Sequence, residues 1–157
     1  MKKLLFLLIL FSITAQFSNA QTNENRSEKD VFIEAVQFLE ENPLAEKSKE
    51  TRKWALKYSQ DIDYPTCDKI LFLFSALEIK GEVMAQFMMK LASFELEKSG
   101  KKYNINDAQI AGLESALKVY EKLIEMDKSA KFTKLDSLVD LKNKNQLGAF
   151  VKNSNCK

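Results

Sequence analysis

The residue types that most often carry catalysis are scarce in this chain. It contains no histidine. That removes Ser-His-acid and Cys-His nucleophile systems, His-ligated zinc or iron, and the ordinary neutral-pH general base. Its two cysteines, Cys67 and Cys156, lie 89 residues apart. They form no C-x-x-C redox pair and are too few to hold a zinc ion alone. The four glycines, Gly81, Gly100, Gly112 and Gly148, are isolated, so no phosphate-cradling loop is available.

Three weaker constellations remain. Ser99-Gly100-Lys101-Lys102 has the S-x-x-K spacing of serine–lysine acylases, but those place the pair one turn apart on a helix. Here Gly100 marks a helix end, and the partner motifs are missing. Asp61 and Asp63 begin like a calcium loop, yet Pro65 occupies the next ligand position and no glycine stands at the sixth. Glu34 with Glu40, and Glu78 with Glu82, can be drawn as acid–base pairs. Among 22 acidic residues such spacings arise on any solvated helical face. The expectation is a protein without enzymatic activity, metal or cofactor.

Two groups point to binding. Phe72, Phe74, Met84, Phe87, Met88, Met89 and Phe94 fall within 23 residues; such an adaptable lining suits an acyl chain or a partner helix as well as a core. Met89 is the most suggestive member, because it lies off the main apolar stripe. Arg52, Trp54 and Tyr58 form the second group, in residue types frequent at binding hot spots.

These residues must be positioned by helices. Ser27 and Asp30 resemble a capping box opening a helix with Phe32, Ala35, Val36 and Leu39 on one face, ended by Asn42-Pro43. A second helix is predicted over 45–60 and a third over 67–79, with Thr66 as its N-cap. The run Ile70-Leu71-Phe72-Leu73-Phe74 is apolar all round, so the third should be central and largely buried. Gly81 marks a turn. A fourth helix over 83–98 stops at Ser99-Gly100, and the strongest covers 107–126 with Ile110, Leu113, Leu117, Tyr120 and Ile124 as its core face. Beside that face Ala108, Ala111, Gly112 and Ser115 make a small-residue strip. Thr133 and Asp136 read as another capping box, and Leu147, Phe150 and Val151 dock the tail. No hairpin signal occurs. The fold class is all-α: a compact bundle of about five main helices plus one or two short C-terminal ones.

Domain organisation begins with Met1–Ala20, which read as a secretory signal peptide. Lys2 and Lys3 precede an apolar run from Leu4 to Ile13, and Ser18-Asn19-Ala20 forms a small-x-small cleavage site. The run is too short to cross a bilayer. Residues 21–26 should be disordered, and 27–157 should form one helical domain. Removing Lys2 and Lys3 changes 24 basic against 22 acidic residues to 22 against 22, so bulk charge gives no argument for nucleic acid. Residues 101–157 nevertheless hold 11 basic and 7 acidic side chains. This is a mild basic surface for an acidic partner, or simply a solvated face. In an exported, oxidising compartment Cys67 and Cys156 would pair as one disulfide; the alternative is a buried Cys67 with a free tail thiol.

The stretch Ala111-Gly112-Leu113-Glu114-Ser115-Ala116-Leu117-Lys118-Val119-Tyr120-Glu121-Lys122-Leu123 is similar to the second helix of a tetratricopeptide unit. The resemblance implies a helical hairpin over 83–129 and carries over no binding residues. Arg52-x-Trp54-Ala55-x-x-Tyr58, a Cys opening the next helix, and Ala108-Gln109 to Tyr120-Glu121 resemble a group of small exported helical proteins of Gram-negative bacteria. That resemblance implies export to the periplasm or medium and an all-helical fold, with no assigned activity. The functional expectation is a protein-interaction or structural module with an unknown protein partner and no stable membrane anchor after cleavage. The alternative is a periplasmic carrier of an apolar small molecule in the Phe/Met region.

Overall fold

A computed structural model describes residues 26–75 and 81–156. The signal-peptide reading, most of the N-terminal stretch read as disordered, and the end of the third predicted helix lie outside the described residues. Within them the chain forms seven α-helices and no strand: α1 Glu28–Glu41, α2 Ser48–Ser59, α3 Asp68–Leu71, α4 Gly81–Lys98, α5 Ile105–Met126, α6 Thr133–Asn143 and α7 Leu147–Asn153. Short 3-10 turns cover Phe72–Phe74 and Lys128–Ala130.

Local signals explain most boundaries. Ser27 Oγ accepts from the Asp30 amide at 3.2 Å, capping the start of α1, while the Asp30 carboxylate takes the Ser27 hydroxyl at 2.7 Å and not the Ser27 backbone N–H of a full capping box. Asn42 ends that helix, its amide reaching back to the Phe38 carbonyl at 3.3 Å. Asn104 caps α5 by accepting from the Asn106 amide at 2.9 Å. Gly100 closes α4 with φ +78°, a left-handed conformation that glycine adopts without a Cβ clash.

Several expectations fail locally. The third helix is only one turn long before it tightens into the 3-10 turn. There Ser75 takes the Phe72 carbonyl with both its backbone N–H (3.3 Å) and its hydroxyl (2.8 Å), and such local bonding competes with an α-helical ladder. Its run is not buried all round: Phe74 is buried, while Phe72 is 67 % exposed. Cys67, not Thr66, occupies the N-cap. Gly81 is the first residue of α4 and not a separate turn. Finally, Phe132 and not Thr133 precedes α6, because Asp136 is drawn to the Tyr120 hydroxyl at 2.7 Å instead of closing a capping box.

The bundle is built around α4 and α5, whose pairing is the most extensive in the fold. Gln86 meets Ser115, Phe87 meets Gly112, and Phe94 meets Tyr103, so later positions on α4 face earlier ones on α5 and the hairpin is antiparallel. Helix α4 is buried on two faces. Val83, Phe87 and Leu91 enter a core shared with α5, α6 and α7. Ala85, Met89 and Ala92 enter a second cluster with Phe32, Val36, Leu39 and Ala55 from α1 and α2. Met89 falls off the first stripe because it belongs to the second. Gln86 lies between them, fully buried, donating to the Val36 carbonyl at 3.0 Å and the Ser115 hydroxyl at 2.9 Å. It thereby ties α1, α4 and α5 without leaving its donor unsatisfied.

Cys67 and Cys156 form a disulfide with Cα atoms 5.2 Å apart. It joins the start of α3 to the residues after α7, whose Leu147 and Val151 are buried in the core.

Candidate functional site

Side-chain bonds from α2 hold the connection after α1, and two more tie the end of α1 to α5. The Ser48 hydroxyl donates to the Asn42 carbonyl, and Arg52 Nη2 donates to the Pro43 carbonyl at 2.7 Å. Across the interface Lys122 Nζ donates to the Glu41 carbonyl, satisfying one of the acceptors left open at the C-terminus of α1. One turn earlier Lys118 pairs with Glu40 at 2.5 Å. Burial alone would raise the Glu40 carboxyl, but hydrogen bonds from Lys118 and Ser115 and the charges of Lys118 and Lys90 outweigh it and hold it below its ordinary value. The same bond to Glu40 pushes the Lys118 ammonium up against an opposing desolvation cost. The two shifts agree that the pair favours its charged form.

This anchored connection creates a surface cleft of about 370 Å³ between Pro43-Leu44-Ala45 and the end of α5. Two large apolar side chains flank it in the open: Leu44 is 46 % exposed and Met126 75 %. Lys122 and Glu125 stand on its rim and also line a neighbouring cleft of about 540 Å³. That one continues along α5 to Lys128 and to Val139 of α6. The two clefts adjoin at Lys122 and Glu125 of α5, with exposed methionine and leucine in the first.

The residues singled out by sequence fare differently. Trp54 is 40 % exposed and stacks on Tyr58 with ring centroids 5.6 Å apart. Tyr58 in turn meets Phe32 at 4.9 Å, so the indole covers the α1–α2 core and presents its other side to water. Arg52 does not join that aromatic surface. Its guanidinium is committed to the Pro43 carbonyl; burial lowers its pKa, opposed by the charge of Glu82. The seven Phe/Met residues are not brought to one surface. Phe74 and Phe87 are packed in the first core with rings 5.0 Å apart, Met89 in the second, and Met88 and Phe94 lie half-buried against the first. Met84 and Phe72 are exposed. None of the seven lines the clefts described above.

Of the weak catalytic constellations, the Glu78–Glu82 pair includes Glu78, which lies outside the described residues. Ser99 and Lys102 flank the left-handed Gly100 beyond the end of α4. Glu34 pairs with Arg26 at 2.7 Å on the surface, while Glu40 is engaged with Lys118. Asp61 and Asp63 lie in the turn after α2, and among the described residues no group of three or more Cys, Asp or Glu is placed to hold a metal ion. A cleft of about 260 Å³ borders the disulfide, lined by Thr66, Asp68 and Lys69 on one side and Ser154 and Asn155 on the other.

Sequence reasoning missed Leu44 and Met126. The available signal was modest: a leucine directly after Asn-Pro, where the chain leaves a helix, and a methionine one position beyond the periodic core face of α5. Comparison with protein families, curated proteins and solved structures yields no match.

Proposed function

We propose that this chain is an exported, non-enzymatic helical module that receives an apolar side chain of a partner polypeptide between Leu44 and Met126. The observation that carries the reading is the coincidence of exposure and rigidity. Two large apolar side chains flank one cleft, and the segment carrying Leu44 is fixed by Arg52, Ser48 and Lys122. A preorganised surface loses less conformational entropy on binding than a mobile one. Leu44 and Met126 would be the apolar anchors, and Lys122 and Glu125 the polar rim that sets orientation. Export is supported by the N-terminal pattern and is compatible with the Cys67–Cys156 disulfide.

The test is site-directed crosslinking in the native host, with a photoreactive residue introduced at Glu125. A discrete adduct is expected that disappears in Leu44→Glu/Met126→Glu and persists in Lys144→Glu, with all variants keeping the parental thermal midpoint. An adduct indifferent to the Leu44 and Met126 substitutions would sink the reading.

A further inference from the structure

We propose that the surface around Phe72 is a peripheral docking site for an anionic lipid surface. This rests on a different part of the molecule from the Leu44–Met126 cleft and stands or falls separately. Phe72 opens the 3-10 turn after α3 and is 67 % exposed, an unusual position for a phenylalanine between the buried Ile70 and Phe74. One cation lies against its ring, and two more lysines are close to it or to that cation in sequence. Lys134 of α6 places its ammonium 5.5 Å from the ring centroid. Lys69 precedes Phe72 by three positions on the same short helical stretch, which puts both on one side of it. Lys131, exposed, precedes Lys134 by three.

Among the described residues, two acids lie within two positions of these lysines. Asp136 is turned inward to the Tyr120 hydroxyl at 2.7 Å, leaving Asp68 as the carboxylate next to Lys69. Across residues 128–156, which include α6 and α7, six lysines accompany two aspartates. One of the six, Lys142, is paired with Glu121 of α5.

An aromatic ring set among ammonium groups matches the boundary between headgroup phosphates and acyl chains. The ring enters the apolar layer, while the flexible lysine stems keep their charges at the phosphates. A protein partner would need a pocket shaped for Phe72, whereas a bilayer accepts a protruding ring anywhere on its surface. Phe72, Lys131 and Lys134 are exposed, and Lys69, also exposed, borders the cleft beside the disulfide. No helix among the described residues is long and apolar enough to cross a membrane, and the contact proposed is accordingly peripheral.

Trp54 is the only tryptophan, so a Trp54→Phe/Phe72→Trp chain carries one indole, at the patch. It is titrated with vesicles of phosphatidylcholine alone, or with one third phosphatidylglycerol, both containing brominated acyl chains. The expected result is a blue shift and quenching with the anionic vesicles only, reversed by high salt. Adding Lys69→Glu/Lys134→Glu should weaken this at least tenfold, while adding Lys49→Glu on α2 should leave it unchanged. Helical circular dichroism must match the parent in every variant. An unquenched indole at position 72 overturns the proposal, even where vesicles capture the chain through another segment. So does equal quenching on uncharged vesicles, or quenching indifferent to charge reversal.

Discussion

The close approach of α4 to α5 at Gly112 makes a prediction whose sign depends on tertiary structure. Gly112 faces α4, and a Cβ built on it would lie 2.9 and 3.0 Å from two ring carbons of Phe87 and 3.1 Å from Leu91 Cδ2. Taken as an isolated helix position, Gly112→Ala should stabilise by about 1 kcal/mol through helix propensity. The contacts oppose this. Phe87 and Leu91 are fully buried, and the Phe87 ring is confined by Phe74 at 5.0 Å, so neither can swing aside without disturbing the core. Overpacking of this kind costs about 1–3 kcal/mol. With about 2 kcal/mol for the clash, the net effect is a destabilisation of roughly 1 kcal/mol, equivalent to a fall of about 3–5 °C in Tm.

Gly148 supplies the control. Its added Cβ would meet only Ile110 Cδ1, at an ordinary 3.6 Å, so Gly148→Ala should stabilise by about 0.5 kcal/mol. Urea unfolding followed by far-UV circular dichroism measures both. The double variant Gly112→Ala/Phe87→Leu should recover part of the loss, with a coupling of at least about 0.5 kcal/mol. A Gly112→Ala protein as stable as the parent, or an additive double variant, would refute the described approach of α4 to α5.

Three further outcomes are expected. Reducing the disulfide, or Cys67→Ser/Cys156→Ser, removes a constraint across 89 residues, worth at most about 4.6 kcal/mol in the chain-entropy account. The fold should survive because Leu147 and Val151 still anchor α7; a lowered Tm with unchanged helicity, and an intact mass that rises by two hydrogens on reduction, check this. Arg52→Ala should cost about 1 kcal/mol and raise amide exchange over residues 44–47, since a charge-assisted bond to the Pro43 carbonyl is lost from a half-buried site; unaltered exchange there would refute the loop-clamp role. Tyr103 is raised to about 12 by burial, by its hydrogen bond to Glu95 and by the charges of Glu95 and Asp63. The fold favours the neutral phenol, so this stabilisation is complete below pH 10, the ordinary value, and is lost as pH rises towards about 12. Denaturation profiles should show wild type losing over that window a margin that Tyr103→Phe does not.

Helix limits were legible where a periodic apolar face coincided with a stop or start signal. Ser27-Asp30, Asn42-Pro43 and Ser99-Gly100 act through a few neighbouring backbone groups, so sequence proximity contains the whole interaction. The small-residue strip on α5 was legible too, because Gly112 and Ser115 are one turn apart and must face the same neighbour. Thr133-Asp136 misled for the complementary reason. The motif is local, but Asp136 was claimed by Tyr120 from another helix, a competitor that local spacing does not display. The exposure of Phe72 was equally hidden, since an all-apolar run says that burial is available without saying on how many sides.

The sequence by itself determined the all-helical class, most helix boundaries, the pairing open to its only two cysteines, and the absence of histidine chemistry. These follow from residue identity and from interactions within about one helical turn. Tertiary structure alone decided that α4 has two buried faces, so that Met89 is core. It decided that Arg52 clamps a loop while Trp54 remains half in water. It also brought Leu44 and Met126, 82 positions apart, to one cleft. Packing decides such matters because a side chain's surroundings are set by which helices close over it, and that choice depends on the whole chain's need to bury apolar surface.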